Sequence, residues 1–117
     1  MKRDYRVYLN DILLSLYNAA HFIEGISYEE FVNDRKTISA VVRELEIIGE
    51  ASKQIPASIR KKYPDIPWAE MAGMRDKLIH FYFGVDMAIV WKTVKNRIPK
   101  IEPLIQEVLN NLEKEQK

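Results

Sequence analysis

The sequence predicts an all-α fold, a bundle of four to five main helices, and three observations predict it. Apolar residues recur at three- and four-residue steps along nearly the whole chain, helix-capping signals punctuate that recurrence, and no run alternates with the period of two that a half-buried strand requires. The 117 residues read as a single domain, long enough to bury one core without staples. Apolar surface left over on such a bundle is often covered by a second copy, so homodimerisation is expected.

The first helix begins near Tyr5. Tyr8, Leu9, Ile12, Leu13, Leu16, Ala19, Ala20 and Ile23 carry its periodicity, and Gly25 stands as its stop signal. Ser27-Tyr28-Glu29-Glu30 has the S-x-x-E form of a capping box and opens a short helical turn. Asp34 is then the N-cap of a helix from about Arg35 to Gln54. On it Ile38, Val41, Val42, Leu45, Ile48 and Ala51 form the buried stripe, while Arg43, Glu44, Glu46, Glu50 and Lys53 decorate the remainder.

Pro56, Pro64 and Pro67 limit Ala57 to Tyr63 to a short helix and make Pro64-Asp65-Ile66-Pro67 a turn; Pro67 also suits the first position of the next helix. From Trp68 the helical pattern resumes and continues through Arg75 to Tyr82 until Gly84 breaks it. Asp86 caps a helix starting near Met87, with Val90, Trp91, Val94 and Ile98 on its apolar face. Pro99 marks either a kink or a fresh helix start, followed by Ile101, Leu104, Ile105, Val108 and Leu109. The polar tail after about Asn110 is expected to fray.

Composition excludes several classes of function. Without cysteine there is no disulfide, thiolate metal site or cysteine nucleophile, and a reducing, cytoplasmic setting is the expectation. No apolar run approaches the roughly 20 residues that span a bilayer, and the opening Met1-Lys2-Arg3-Asp4-Tyr5-Arg6 leads into an amphipathic pattern rather than a signal segment, so no membrane partner is expected. With a formal net charge of +1, any RNA binding must come from a local concentration of Lys and Arg.

The segment from Met74 to Asp86 carries the strongest chemistry. It places Arg75, His80 and Tyr82 at R-x4-H-x-Y spacing and holds one of two histidines in the chain. Arg offers a permanent charge and a planar donor fork suited to phosphate, and His exchanges a proton near neutral pH. At 100° per residue Arg75 and Tyr82 share a face and His80 lies well round from it, so the reach of the long Arg side chain, a helix loosened towards Gly84 or a second subunit would bring the three together. With RNA as substrate, His80 would draw the proton from a ribose 2′-hydroxyl that attacks the adjacent phosphorus. Arg75 would stabilise the added negative charge, and protonated His80 or its symmetry mate would serve the leaving oxygen. No metal or other cofactor is needed for this chemistry, and no metal-binding cluster is visible.

The spacing by itself leaves a second reading open. His80, flanked by Leu78, Ile79, Phe81 and Phe83, also fits a core histidine with a satisfied ring, and Tyr82 fits a buried aromatic. Arg60-Lys61-Lys62, and Lys92 with Lys95 and Arg97, could touch phosphate or simply form solvated faces. Trp68 could stack on a base or pack. His21 has no visible triad or metal partner and is assigned no function.

Four ordered segments add a resemblance. Leu45-Glu46-Ile47-Ile48-Gly49-Glu50-Ala51, Ile66-Pro67-Trp68, Gly73-Met74-Arg75 and His80-Phe81-Tyr82-Phe83-Gly84-Val85-Asp86 resemble, in order and spacing, the HepT-like (DUF86) family of the HEPN superfamily. The resemblance implies a HEPN-like helical bundle that dimerises and builds a composite RNase site from the Arg and His of both copies, here Arg75 and His80. It further implies the toxin of a type VII toxin-antitoxin pair, in which a minimal nucleotidyltransferase (MNT-type) antitoxin transfers AMP to the motif tyrosine, here Tyr82. AMP beside the catalytic pair would block RNA phosphate by bulk and by like charge.

One departure concerns Asp76, where the family commonly has Asn after the motif Arg. An extra carboxylate there is expected to neutralise Arg75 in part and to raise the pKa of His80, which makes Asp76 a candidate modulator of the site. The Ala69-Glu70 pair also departs from the common basic or polar choice. A competing function is a non-catalytic helical partner that binds substrate for a minimal nucleotidyltransferase, which the near-neutral charge and Asp76 favour. A purely structural dimeric bundle, indifferent to substitution of Arg75, His80 and Tyr82, is the third.

Overall fold

The computed structural model describes residues 4–74, 76 and 86–115. Among them there are helices and no strand, as the periodicity predicts. Helix α1, Tyr5–Phe22, starts where the Asp4 side chain accepts from the Arg6 backbone N–H at 2.9 Å, so an otherwise orphaned donor is satisfied. It buries Leu9, Ile12, Leu16 and Ala19 at three- and four-residue steps. Gly25 follows with φ +79°, a left-handed conformation that a side chain resists, and turns the chain.

Helix α2, Tyr28–Val32, opens with the predicted capping box: Glu30 N–H donates to Ser27 Oγ at 3.1 Å and Ser27 N–H to Glu30 Oε1 at 3.0 Å. Asp34 then caps α3, Arg35–Lys53, through the Thr37 N–H. Val41, Leu45 and Ile48 are completely buried on α3, each side chain contributing about 1.5–3 kcal/mol of transfer free energy. Helices α1 and α3 pack antiparallel: Asn18 meets Glu44, whereas Tyr8 shares a cleft with Ala51 and Gln54.

Glu44 departs from expectation. It lies 92 % buried between α1 and α3 rather than on the solvated side, because it sits three residues after Val41 and four before Ile48, inside the apolar stripe. Its carboxylate accepts from Asn18 Nδ2 at 2.8 Å and from Ser15 Oγ at 3.5 Å.

Helix α4, Ala57–Lys62, is short, as the flanking prolines require. Pro67 is the N-cap of α5, Trp68–Ala72, not its first helical residue. The expected uninterrupted helix from Trp68 also breaks early, for α5 closes at Gly73, whose N–H returns to Ala69 O at 3.0 Å. Helix α6, Met87–Lys92, is capped by Asp86, which accepts from Ile89 N–H at 3.1 Å.

The Pro99 question is answered by a widened turn. Residues Thr93–Arg97 form a π-helical turn in which Ile98 N–H reaches back to Thr93 O, and α7, Ile98–Glu115, continues from it. Pro99 has no N–H for the Lys95 carbonyl, and its ring would crowd that carbonyl in a regular α turn; the wider turn relieves both. Pro99 and Lys95 are exposed, so water can serve the freed oxygen.

Helix α7 packs on α1 through Ile101, Ile105 and Val108. Residues 111–115 do not fray as their polarity suggests. α7 stays helical to Glu115 because Leu112 is 96 % buried and Glu115 accepts from Lys62 Nζ of α4 at 2.6 Å. No helix of the described residues is long and apolar enough to cross a membrane.

Candidate functional site

Arg75, His80 and Tyr82 lie outside the described residues, so the site is approached from the two flanks that deliver its chain. On the upstream side α5 is anchored into the core. Trp68 is 92 % buried and its Nε1–H donates to Tyr63 O at 3.0 Å, which makes it a packing residue rather than an exposed base platform. Met71 and Met74 are buried as well, one on each side of the turn at Gly73. A Cβ at Gly73 would stand 3.4 Å from Ala69 O, tolerable but close.

Asp76 is exposed and helical, immediately after the motif arginine. On the downstream side the Asp86 cap starts α6, and Val90 buries that helix against the core. The motif segment is therefore entered from one core-anchored helix and left through another.

The additional cations divide into two groups. Arg97, in the π turn, is committed: its Nε and Nη2 donate to Glu70 Oε1 and Oε2 of α5, both at 2.7 Å. The Glu70 hydrogen bonds, then its charge, raise the Arg97 pKa further above its ordinary value. Arg97 is thus a structural tie, not an open extension of a phosphate path. Lys95 is exposed with Nζ 4.9 Å from the Trp91 ring centroid, and Lys92 is exposed. In the last turn of α4, Arg60 and Lys61 are exposed and Lys62 is held by Glu115.

His21 is exposed at the end of α1. It stacks on Tyr17 with centroids 5.8 Å apart, and its Nδ1 lies 3.4 Å from Glu24 Oε2. This cluster borders an open groove of about 310 Å³ with Val94 and Lys95. Among the described residues no three His, Asp or Glu side chains come together as a metal-binding group.

Two features escaped the reading of the sequence. The Glu70–Arg97 fork joins residues 27 positions apart, for which the chain carries no local signal. The buried Glu44 had one, since its position falls within the stripe set by Val41, Leu45 and Ile48.

Comparison with known proteins places the chain. The model of a family described as "Ribonuclease HepT-like" matches residues 12–108. "Putative RNase MJ0125" of Methanocaldococcus jannaschii is 50% identical over 112 residues, covering 96% of this chain and 97% of that protein. "Probable ribonuclease HepT" of Thermococcus cleftensis is 53% identical over 102 residues, 87% of this chain and 93% of its own length. "Putative RNase TTE0752" of Caldanaerobacter subterraneus is 48% identical over 104 residues, 89% and 93% of the two chains. No solved structure matches. A match over most of the length, together with the all-helical architecture, establishes that this chain belongs to the ribonuclease HepT-like family.

Proposed function

We propose that this protein is a metal-independent endoribonuclease, the toxin of a type VII toxin-antitoxin pair in the cytoplasm. Arg75 and His80 are its catalytic pair, and Tyr82 is the acceptor through which an MNT-type nucleotidyltransferase neutralises it. The observation that carries the reading is the R-x4-H-x-Y order of these three residues in a chain of the ribonuclease HepT-like family, whose relatives are named as RNases.

In this reading two copies pair and supply Arg75 and His80 to one scissile phosphate. His80 removes the 2′-hydroxyl proton, the 2′-oxygen bonds to phosphorus, and the 5′-oxygen leaves with a proton from His80 or its mate. Arg75 carries the charge that gathers on the phosphoryl oxygens. Transfer of AMP joins the Tyr82 oxygen to the α-phosphorus of ATP with loss of pyrophosphate, and the added phosphate repels RNA.

The test is cleavage of RNA by purified, unmodified protein in EDTA. His80→Ala and Arg75→Ala are each expected to lower the rate by about 10² to 10⁴ while leaving the helical circular dichroism intact. Cleavage that survives His80→Ala overturns the assignment.

A second reading, a non-catalytic helical partner of a minimal nucleotidyltransferase, is favoured by the outward face of α1. Val7, Leu14 and Tyr17 recur there at helical steps with 38%, 60% and 54% of their surfaces exposed, an apolar stripe fit for a partner. That reading requires a stable heteromeric complex and no RNA cleavage at any pH.

A further inference from the structure

The Glu70–Arg97 fork occupies a particular place in the chain. Glu70 lies on α5, five residues before Arg75, and Arg97 lies in the π turn that follows α6, the helix on which the motif segment ends. The pair therefore ties α5, which precedes residues 75–85 in the chain, to the π turn, which follows them beyond α6. Both bonds are 2.7 Å, and the side chains are partly shielded, with 27% of the Glu70 surface and 39% of the Arg97 surface exposed. A bidentate guanidinium–carboxylate pair fixes orientation as well as distance, which a single lysine contact does not.

The π turn aims this arginine. One extra residue in a helical turn rotates every later side chain by about 100° relative to the preceding helix. Pro99, which favours the widened turn, thereby influences which way Arg97 projects from the π turn. Glu70 is met there, on the five-residue helix that Trp68 and Met71 anchor in the core.

We propose that Glu70 and Arg97 are positioning residues, a clamp that fixes α5 against the π turn and so sets the spacing from which Arg75 and His80 are presented to the scissile phosphate. The inference rests on the reading of Arg75 and His80 as the cleaving pair. Catalytic groups displaced by about 1 Å can lose 10²-fold in rate, so a clamp on the flanks is read out in turnover rather than in substrate affinity.

The experiment measures kcat and KM on an RNA oligonucleotide in EDTA for the wild-type chain, Arg97→Ala, Arg97→Lys and the exchanged double variant Glu70→Arg/Arg97→Glu. Glu115→Ala, which breaks the separate Lys62–Glu115 pair, serves as the control. Arg97→Ala is expected to lower kcat about 10- to 100-fold with KM little changed. Arg97→Lys should fall between, the exchange should recover most of the loss, and Glu115→Ala should match the wild type.

Equal kcat in all variants overturns the clamp, and so does a rise in KM alone that the exchange does not repair, which would make Arg97 a phosphate ligand. Amide hydrogen exchange separates the failure of the clamp from that of the cleavage reading. If the wild type does not cut RNA, faster exchange across residues 75–85 in Arg97→Ala, reversed in the exchanged variant, still upholds the clamp, and unaltered exchange there rejects it.

Discussion

Asn18 of α1 donates to Glu44 of α3 across 2.8 Å, so the interface between the two long helices contains a carboxylate whose side chain is 92 % buried. Removing the acceptor leaves the buried Ser15 hydroxyl and the half-buried Asn18 amide without this partner. Glu44→Ala is expected to cost about 1–3 kcal/mol in urea denaturation. Glu44→Gln keeps an acceptor for Asn18 and the volume, and should cost less. Equal losses from the two would show that the charge, not the hydrogen bond, stabilises the interface.

Shortening the chain after Asn110 should destabilise the whole molecule rather than trim an idle tail. Leu112 is 4% exposed, and its loss removes about 1.5–3 kcal/mol of burial. The Lys62–Glu115 contact between α4 and α7 goes with it. A melting temperature of residues 1–110 equal to that of the full chain would refute this.

Two helix caps give the acid limb of stability its sign. Hydrogen bonds from the Arg6 side chain, then from its backbone, lower the Asp4 pKa from the ordinary 3.8 to about 2, and bonds from Thr37 lower that of Asp34. Because the folded values are depressed, both contributions are fully present above the unfolded pKa near 3.8; that of Asp4 is lost as pH falls toward about 2, and that of Asp34 is lost as pH falls below 3.8. Asp4→Asn and Asp34→Asn retain a capping oxygen and should flatten the pH dependence of unfolding in that window. An unchanged acid limb in both variants would count against the caps as its source.

Under the proposed function, Tyr82→Phe should cleave RNA much as the wild type does and should accept no AMP from a nucleotidyltransferase and ATP. Intact mass reports the outcome directly. Whole AMP increments on the phenylalanine variant would move the acceptor to another residue.

Much of the fold was legible because its signals are local. The capping box at Ser27 and Glu30, the Asp34 and Asp86 caps and the stripe through Val41, Leu45 and Ile48 depend on neighbours within one or two turns. Arg75, His80 and Tyr82 were legible as a motif for the same reason, since spacing and order are properties of the chain. Glu44 is charged by type yet buried by register, and its place in the stripe between Val41 and Ile48 prevails.

The amino-acid order by itself determined most of the helices, the caps at Ser27, Asp34 and Asp86 and which residues are the catalytic candidates, all set by short-range backbone and side-chain chemistry. Only the tertiary structure decided that Glu44 meets Asn18 and Ser15, that Leu112 and Glu115 hold the last turns of α7, that Pro99 is accommodated by a π turn and that Arg97 closes on Glu70. Those outcomes depend on which helix faces meet across the core, and the Glu70–Arg97 and Lys62–Glu115 pairs, 27 and 53 residues apart, leave no mark in the local pattern of either partner.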